Sequence, residues 1–140
     1  MNTVTALDLA DHIGTLVEPL PHTTYYIGHV PDQVPLAGGY MVNPYIVAWP
    51  GIEDDHPEQG LGGCGTGEQT LIQLTVVAHD AATVSAVATQ VRRRIHKQAT
   101  PDGGQYRVIP TGQVPQADPD PTLKPRRHYV PLMVEATTIT

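Results

Sequence analysis

Apolar residues recur at every second position between Ile72 and Ala78, where Ile72, Leu74, Val76 and Ala78 alternate with Gln73 and Thr75. That period predicts a strand buried more heavily on one face. His79-Asp80 breaks the alternation, and Asp80 stands where it can cap a helix. Beyond it Val84, Val87, Ala88, Val91 and Ile95 follow at helical spacing and form one apolar stripe. The stripe ends in Arg92-Arg93-Arg94 and Lys97, cations where the helix dipole favours them. Residues Gln69 to Gln98 therefore read as a strand running straight into a helix. Ile72, Leu74, Val76, Val84, Val87, Val91 and Ile95 are the expected central core.

The pattern extends to both sides. Thr5 and Asp8, three apart, read as a capping box for a first helix whose apolar face is Leu9, Ile13, Leu16 and Val17. Gly14 should weaken that helix by about 1 kcal/mol relative to Ala, and Pro19 and Pro21 end it. Thr23 to Val30 and Tyr45 to Trp49 are rich in β-branched and aromatic residues and read as strands, with a Gly/Pro-rich connection between them. A loop of about twenty residues follows, far longer than the usual four to six. After the central helix, Tyr106 to Thr111 is a short strand, and Pro110 suggests a sheet edge. Gln113 to Pro125 is an extended loop, and Arg127 to Thr138 is the last strand. The predicted fold class is α+β: one domain over residues 1–140, with a mostly antiparallel sheet, both helices packed on one face, and long loops.

Composition sharpens this in two ways. Phe is absent and Trp49 stands with only six Tyr, so the core is expected to rely on Val, Leu, Ile and Ala. Fourteen Pro and thirteen Gly give loops a large share of the 140 residues, which suggests that subunit contacts supply part of the stability. No run of about 18 apolar residues predicts a membrane span. The first fifteen residues lack the Lys or Arg and the apolar core of a signal peptide. The single cysteine, Cys64, excludes an internal disulfide and fits a reducing compartment.

Charge is split along the chain. Residues 1–91 hold ten acids and no Lys or Arg, whereas residues 92–140 hold eight cations and four acids, giving the overall −6. Free nucleic-acid binding gains most of its affinity by neutralising phosphates, so this balance argues against it.

Chemistry candidates are few. Gly60 to Gly65 spells G-x-G-x-x-G, but an acidic loop precedes it and a strand follows, so the strand-to-helix turn that a dinucleotide needs is missing. Glu53, Asp54, Asp55, His56 and Glu58 could offer oxygens to a hard cation, but their spacing is not that of an EF-hand, and a solvated acidic loop is the simpler reading. The seven His, at 12, 22, 29, 56, 79, 96 and 128, show no zinc-ligand spacing and read as surface or boundary residues. Cys64 with a distant His is a conceivable thiol nucleophile, yet it sits among glycines with no rigid element to hold it. No catalytic, cofactor-binding or metal residue is assigned. Arg92, Arg93, Arg94 and Lys97 are instead candidate subunit-interface residues, with Glu53, Asp54, Asp55 and Glu58 as candidate partners.

The layout as a whole resembles the tail terminator proteins of long-tailed bacteriophages, especially those of actinobacterial hosts. The stretches that carry it are Tyr26-Ile-Gly-His-Val-Pro31, Pro44 to Val47, the acidic loop after Pro-Gly, Leu71 to Ala78 with its helix, and the Asp-Pro stretch before Arg126 to Val130. Their order, over residues 5 to 138, carries the resemblance. It implies a hexameric ring in the virion, assembled in the host cytoplasm, that caps the tail tube at its final length. The implied partners are the major tail tube protein and a head-tail connector or stopper protein. DNA would pass through the lumen without being held, and neither an enzyme activity nor a cofactor is implied. Two alternatives stay open at this point: a different connector component, such as a stopper or completion protein, and a small thiol-dependent enzyme using Cys64.

Overall fold

Thr5 accepts a hydrogen bond from Asp8 N–H at 3.1 Å while the Asp8 carboxylate accepts from Thr5 N–H at 2.9 Å, and this reciprocal cap starts helix α1 (Ala6–Val17). The computed structural model describes residues 4–31, 33–37, 41–50, 67–109, 112, 114–117 and 126–139. After α1 come the strands β1 (Thr24–Ile27), β2 (Leu36–Ala37), β3 (Met41–Val42), β4 (Tyr45–Pro50) and β5 (Gly67–Ala78). Helix α2 (Ala81–Ile95) follows, then β6 (Gln105–Ile109), β7 (Gln116–Ala117) and β8 (His128–Ile139).

The main sheet runs β1-β4-β5-β8-β6, with β7 also paired to β8. Every pairing is antiparallel except β1 with β4. The fold is α+β with a mostly antiparallel sheet. β5 and β8 pair over twelve residues each, from Gly67↔Ile139 to Ala78↔His128, and form its spine.

Both helices lie on one face. Ile72, Leu74, Val76 and Ala78 of β5 are fully buried there, with Leu9 and Ile13 of α1 and Val84, Val91 and Ile95 of α2. Val87, expected in the centre of that core, is only partly buried and packs at its rim. Among the described residues, two of the largest fully buried side chains are Tyr45 and Tyr106. The core is therefore not purely aliphatic. Apart from these two rings the buried apolar residues are Ala, Val, Leu and Ile, as expected, and each phenol needs a polar partner. Tyr106 shares a hydrogen with His12 Nδ1 at 2.7 Å, and the rings stack 5.6 Å apart.

Several boundaries differ from the sequence reading. β1 stops at Ile27, since Gly28 turns the chain at φ +75°. The connection after it contains the β2–β3 ribbon, paired at Leu36↔Val42 and Ala37↔Met41. β4 includes Pro50, and β5 starts at Gly67. β6 spans Gln105–Ile109 and is an edge strand of the sheet path, while Pro110 and Thr111 lie outside the described residues. The segment read as loop before β8 contributes Gln116 and Ala117 to the sheet. Strands of two residues carry too little periodicity to read.

Candidate functional site

Asp80 accepts from Thr83 N–H at 2.7 Å and starts α2, as its position after β5 suggested. The helix ends at Ile95 because His96 turns extended, and Lys97 then takes a left-handed φ of 69° that reverses the chain toward β6. This turn leaves Arg92, Arg93, Arg94 and Lys97 exposed at one end of the molecule, above the β6 edge. Among the described residues no acidic side chain pairs with any of them. Arg107 on β6 joins Lys97 and Glu135 around an open concavity there. Arg107 and Glu135 face each other in register, without an ion pair.

Glu53, Asp54, Asp55, Glu58 and Cys64 lie outside the described residues, as does most of the Gly60–Gly67 stretch. The expected pairing of the basic helix end with that acidic loop is therefore not placed. Of the acids that are placed, Glu135 stands opposite Arg107, and Asp11 and Glu18 line a groove between α1 and β1, at the opposite edge of the sheet.

Among the described residues, the sheet face away from the helices is covered at one end. Val42 and Val34 of the β2–β3 region pack there against Tyr45, Val47 and Val77 to make a second apolar cluster. Arg127 reaches the same end, with a guanidinium N–H 3.4 Å from the Tyr45 hydroxyl. Further along this face Trp49 is 37% exposed and Leu71 49%. Trp49 spends its indole N–H on Thr75 Oγ1 at 3.2 Å, which holds the ring along the strand.

Histidines settle mostly as boundary groups. His96 Nδ1 accepts from Val108 N–H at 3.1 Å, tying the end of α2 to β6. His79 Nε2 lies 3.1 Å from Asp80, and His128 arrives beside them through the Ala78↔His128 register. The Asp80 carboxyl is held below the usual carboxylate range, first by hydrogen bonds from Thr83 and less by His79 and His128. His128 Nδ1 and Arg127 Nε are buried without a hydrogen-bond partner. Among the described residues no cluster of His, Cys, Asp or Glu could hold a metal ion, and no helix is long and apolar enough to cross a membrane.

Sequence reasoning singled out the cations of α2 but not Arg107, Asp11 or Glu18. The charge split was the available signal. It could not say that Arg107 shares an edge with Lys97, because that follows from long-range strand pairing. No known protein-family model matches the chain, and no curated protein matches it at a significant level.

Proposed function

We propose that this chain is a structural virion subunit that works by assembly: a tail terminator of a long-tailed phage. Six copies close into a ring at the head-proximal end of the tail tube. The ring ends tube polymerisation and presents a joining surface to the head-tail connector or stopper protein. DNA passes through the lumen, and no cofactor or membrane takes part.

The observation that carries the assembly reading is that, among the described residues, Trp49 and Leu71 stand exposed together on the sheet face away from the helices, beside a second apolar cluster. Neighbouring exposed apolar side chains on a sheet face suit contact with another subunit. The layout of residues 5 to 138 supports the terminator among assembly proteins.

Tube growth tests this. Adding the purified chain to polymerising major tail tube protein of the same virion should stop elongation and leave a ring at one tube end in electron micrographs. Tubes that elongate unchanged, while the chain joins connector rings instead, would make it a stopper or completion protein. A monomer with a thiol-dependent activity lost in Cys64→Ala would make it an enzyme.

A further inference from the structure

The two edges of the main sheet are built differently. At one edge, β1 sends its Thr24 and Gly28 N–H groups inward to the Pro44 and Ala48 carbonyls, at 3.2 and 2.8 Å. By alternation, the backbone groups of Tyr25 and Ile27 point outward; no described backbone group pairs with them, and the Ile27 carbonyl lies 3.0 Å from His29 Nδ1. The groove between this strand and α1 carries two exposed carboxylates, Asp11 and Glu18. At the far edge, three outward backbone groups of β6 are already used. Tyr106 N–H donates to the Gln98 carbonyl and its own carbonyl accepts from Lys97 N–H, both at 2.9 Å, and Val108 N–H donates to His96. That edge bears Lys97 and Arg107, with Glu135 opposite Arg107, and the last turn of α2, which leads into it, adds three exposed arginines. One edge is thus open and acidic, the other closed and basic.

We propose that copies of this chain meet head to tail through these edges, with Arg92 to Arg94, Lys97 and Arg107 of one copy against the Asp11–Glu18 groove of the next. The inference rests on the ring reading above and names the contact that closes the ring. Charge complementarity selects a second copy as the occupant. The first 91 residues hold no Lys or Arg, so these two acids find no cation in their own half of the chain. The two surfaces lie at opposite edges of one sheet, so each copy engages two neighbours at once. A twofold dimer would bury each patch in a single mutual contact, whereas a head-to-tail contact repeats until rotation closes it. Such charge pairs steer and register association and weaken with salt.

The test uses two variants of the full chain, Asp11→Lys/Glu18→Lys and Arg93→Glu/Arg94→Glu, studied by native mass spectrometry at low salt. Each alone should need about tenfold more protein to assemble, corresponding to about 1.4 kcal/mol. An equimolar mixture should regain much of the lost assembly in rings of even number that contain both chains, because at the four altered positions every contact then pairs opposite charges, while Arg92, Lys97 and Arg107 stay cationic in both chains. Restoration on mixing shows that neither variant was lost to misfolding, and the neutral pair Asp11→Asn/Glu18→Gln should show a smaller defect of the same sign. Variants that assemble like wild type, or a mixture that restores only dimers, overturn this contact and leave the ring reading standing. Wild-type binding to an oligonucleotide that Arg93→Glu/Arg94→Glu abolishes, with self-association unchanged, overturns it in favour of nucleic acid. A wild-type chain that stays monomeric at all concentrations, with and without tail tube protein, overturns both.

Discussion

A Cβ on Gly104 would stand 1.7 Å from the carbonyl oxygen of Thr137, so the turn leading into β6 meets β8 backbone to backbone. The turn itself is tied by Thr100 N–H to the Gly104 carbonyl at 3.0 Å and by Gly104 N–H to Asp102 at 3.2 Å. The next residue, Gln105, pairs with Thr137 in the β6–β8 ladder, so Gly104 cannot move away from β8 without opening that pairing.

Gly104→Ala should therefore cost about 3 kcal/mol, the upper end of the overpacking range, because a backbone carbonyl cannot yield as a flexible side chain can. Gly103, with open space around it but a φ of +92°, should cost about 1–2 kcal/mol as Ala. Urea unfolding of the two variants measures both. Equal losses would mean that the close approach to Thr137 is absent.

The sequence alone says that Gly14→Ala should stabilise α1. The structure says the reverse. A methyl there would lie 2.8 Å from Tyr25 Cε1, and the Tyr25 hydroxyl, which donates to the Ala10 carbonyl at 2.7 Å, holds that ring in place. We expect a net loss of about 1 kcal/mol, as displaced packing and a weakened hydrogen bond outweigh the helix gain of similar size. In a Tyr25→Ala background the sign should invert. A stabilising Gly14→Ala in the wild-type chain would contradict the packing.

Val91 and Val87 separate the core from its rim. Val91→Ala should cost roughly 1–3 kcal/mol, from lost burial and the cavity left behind. Val87→Ala should cost about half as much or less, because its side chain is only partly buried. Thermal unfolding of the pair checks the ranking, and a reversed order would mean that α2 is rotated about its axis.

Stability should fall at both pH extremes for nameable reasons. Burial foremost, with the nearby Asp11 charge, raises the Tyr25 hydroxyl above the ordinary tyrosine value, and burial with Asp102 does the same for Tyr106. The unfolded chain releases these protons near pH 10, so above that pH the folded state binds more protons. The stability they contribute is complete below about pH 10 and is lost as pH rises beyond it. Asp8 and Asp80 are shifted the other way, held low by hydrogen bonds from Thr5 and from Thr83. Their contribution is present above about pH 4 and is lost as pH falls through the lowered folded values. Tyr25→Phe should flatten the alkaline limb and Asp80→Asn the acid limb of a pH–melting curve. Limbs unchanged by both variants would assign the losses to other groups.

Local signals were legible where they were strong. Thr5-Asp8 and Asp80 gave both helix starts, and the β5 alternation and α2 stripe gave the face that holds the core. What stayed hidden depends on contacts between distant residues. Nothing near Tyr106 announces that His12 will partner its hydroxyl, and nothing near Gly14 announces the Tyr25 ring. Parallel pairing of β1 with β4 was equally invisible, because a four-residue strand reads the same in either direction. For the site, the four cations were legible as exposed charge, while their distance from Asp11 and Glu18 follows from the sheet order alone.

The position of β8 also sets a timetable for folding. It follows every other described strand in the chain, yet it lies between β5 and β6 and is, among the described residues, the main-sheet neighbour of β6. Until residues 128–139 leave the ribosome, β5 keeps one open flank and β6 has nothing to pair with in the sheet. Closing that gap joins segments far apart in sequence, a slow step by contact-order reasoning. The domain should therefore complete its core only after synthesis has passed β8, and a fragment ending at residue 126 should show no cooperative unfolding. An assembly subunit benefits from such a delay. Under the proposed head-to-tail assembly, the basic edge would be complete only after β8 pairs, so a half-made chain would lack one of its two contacts.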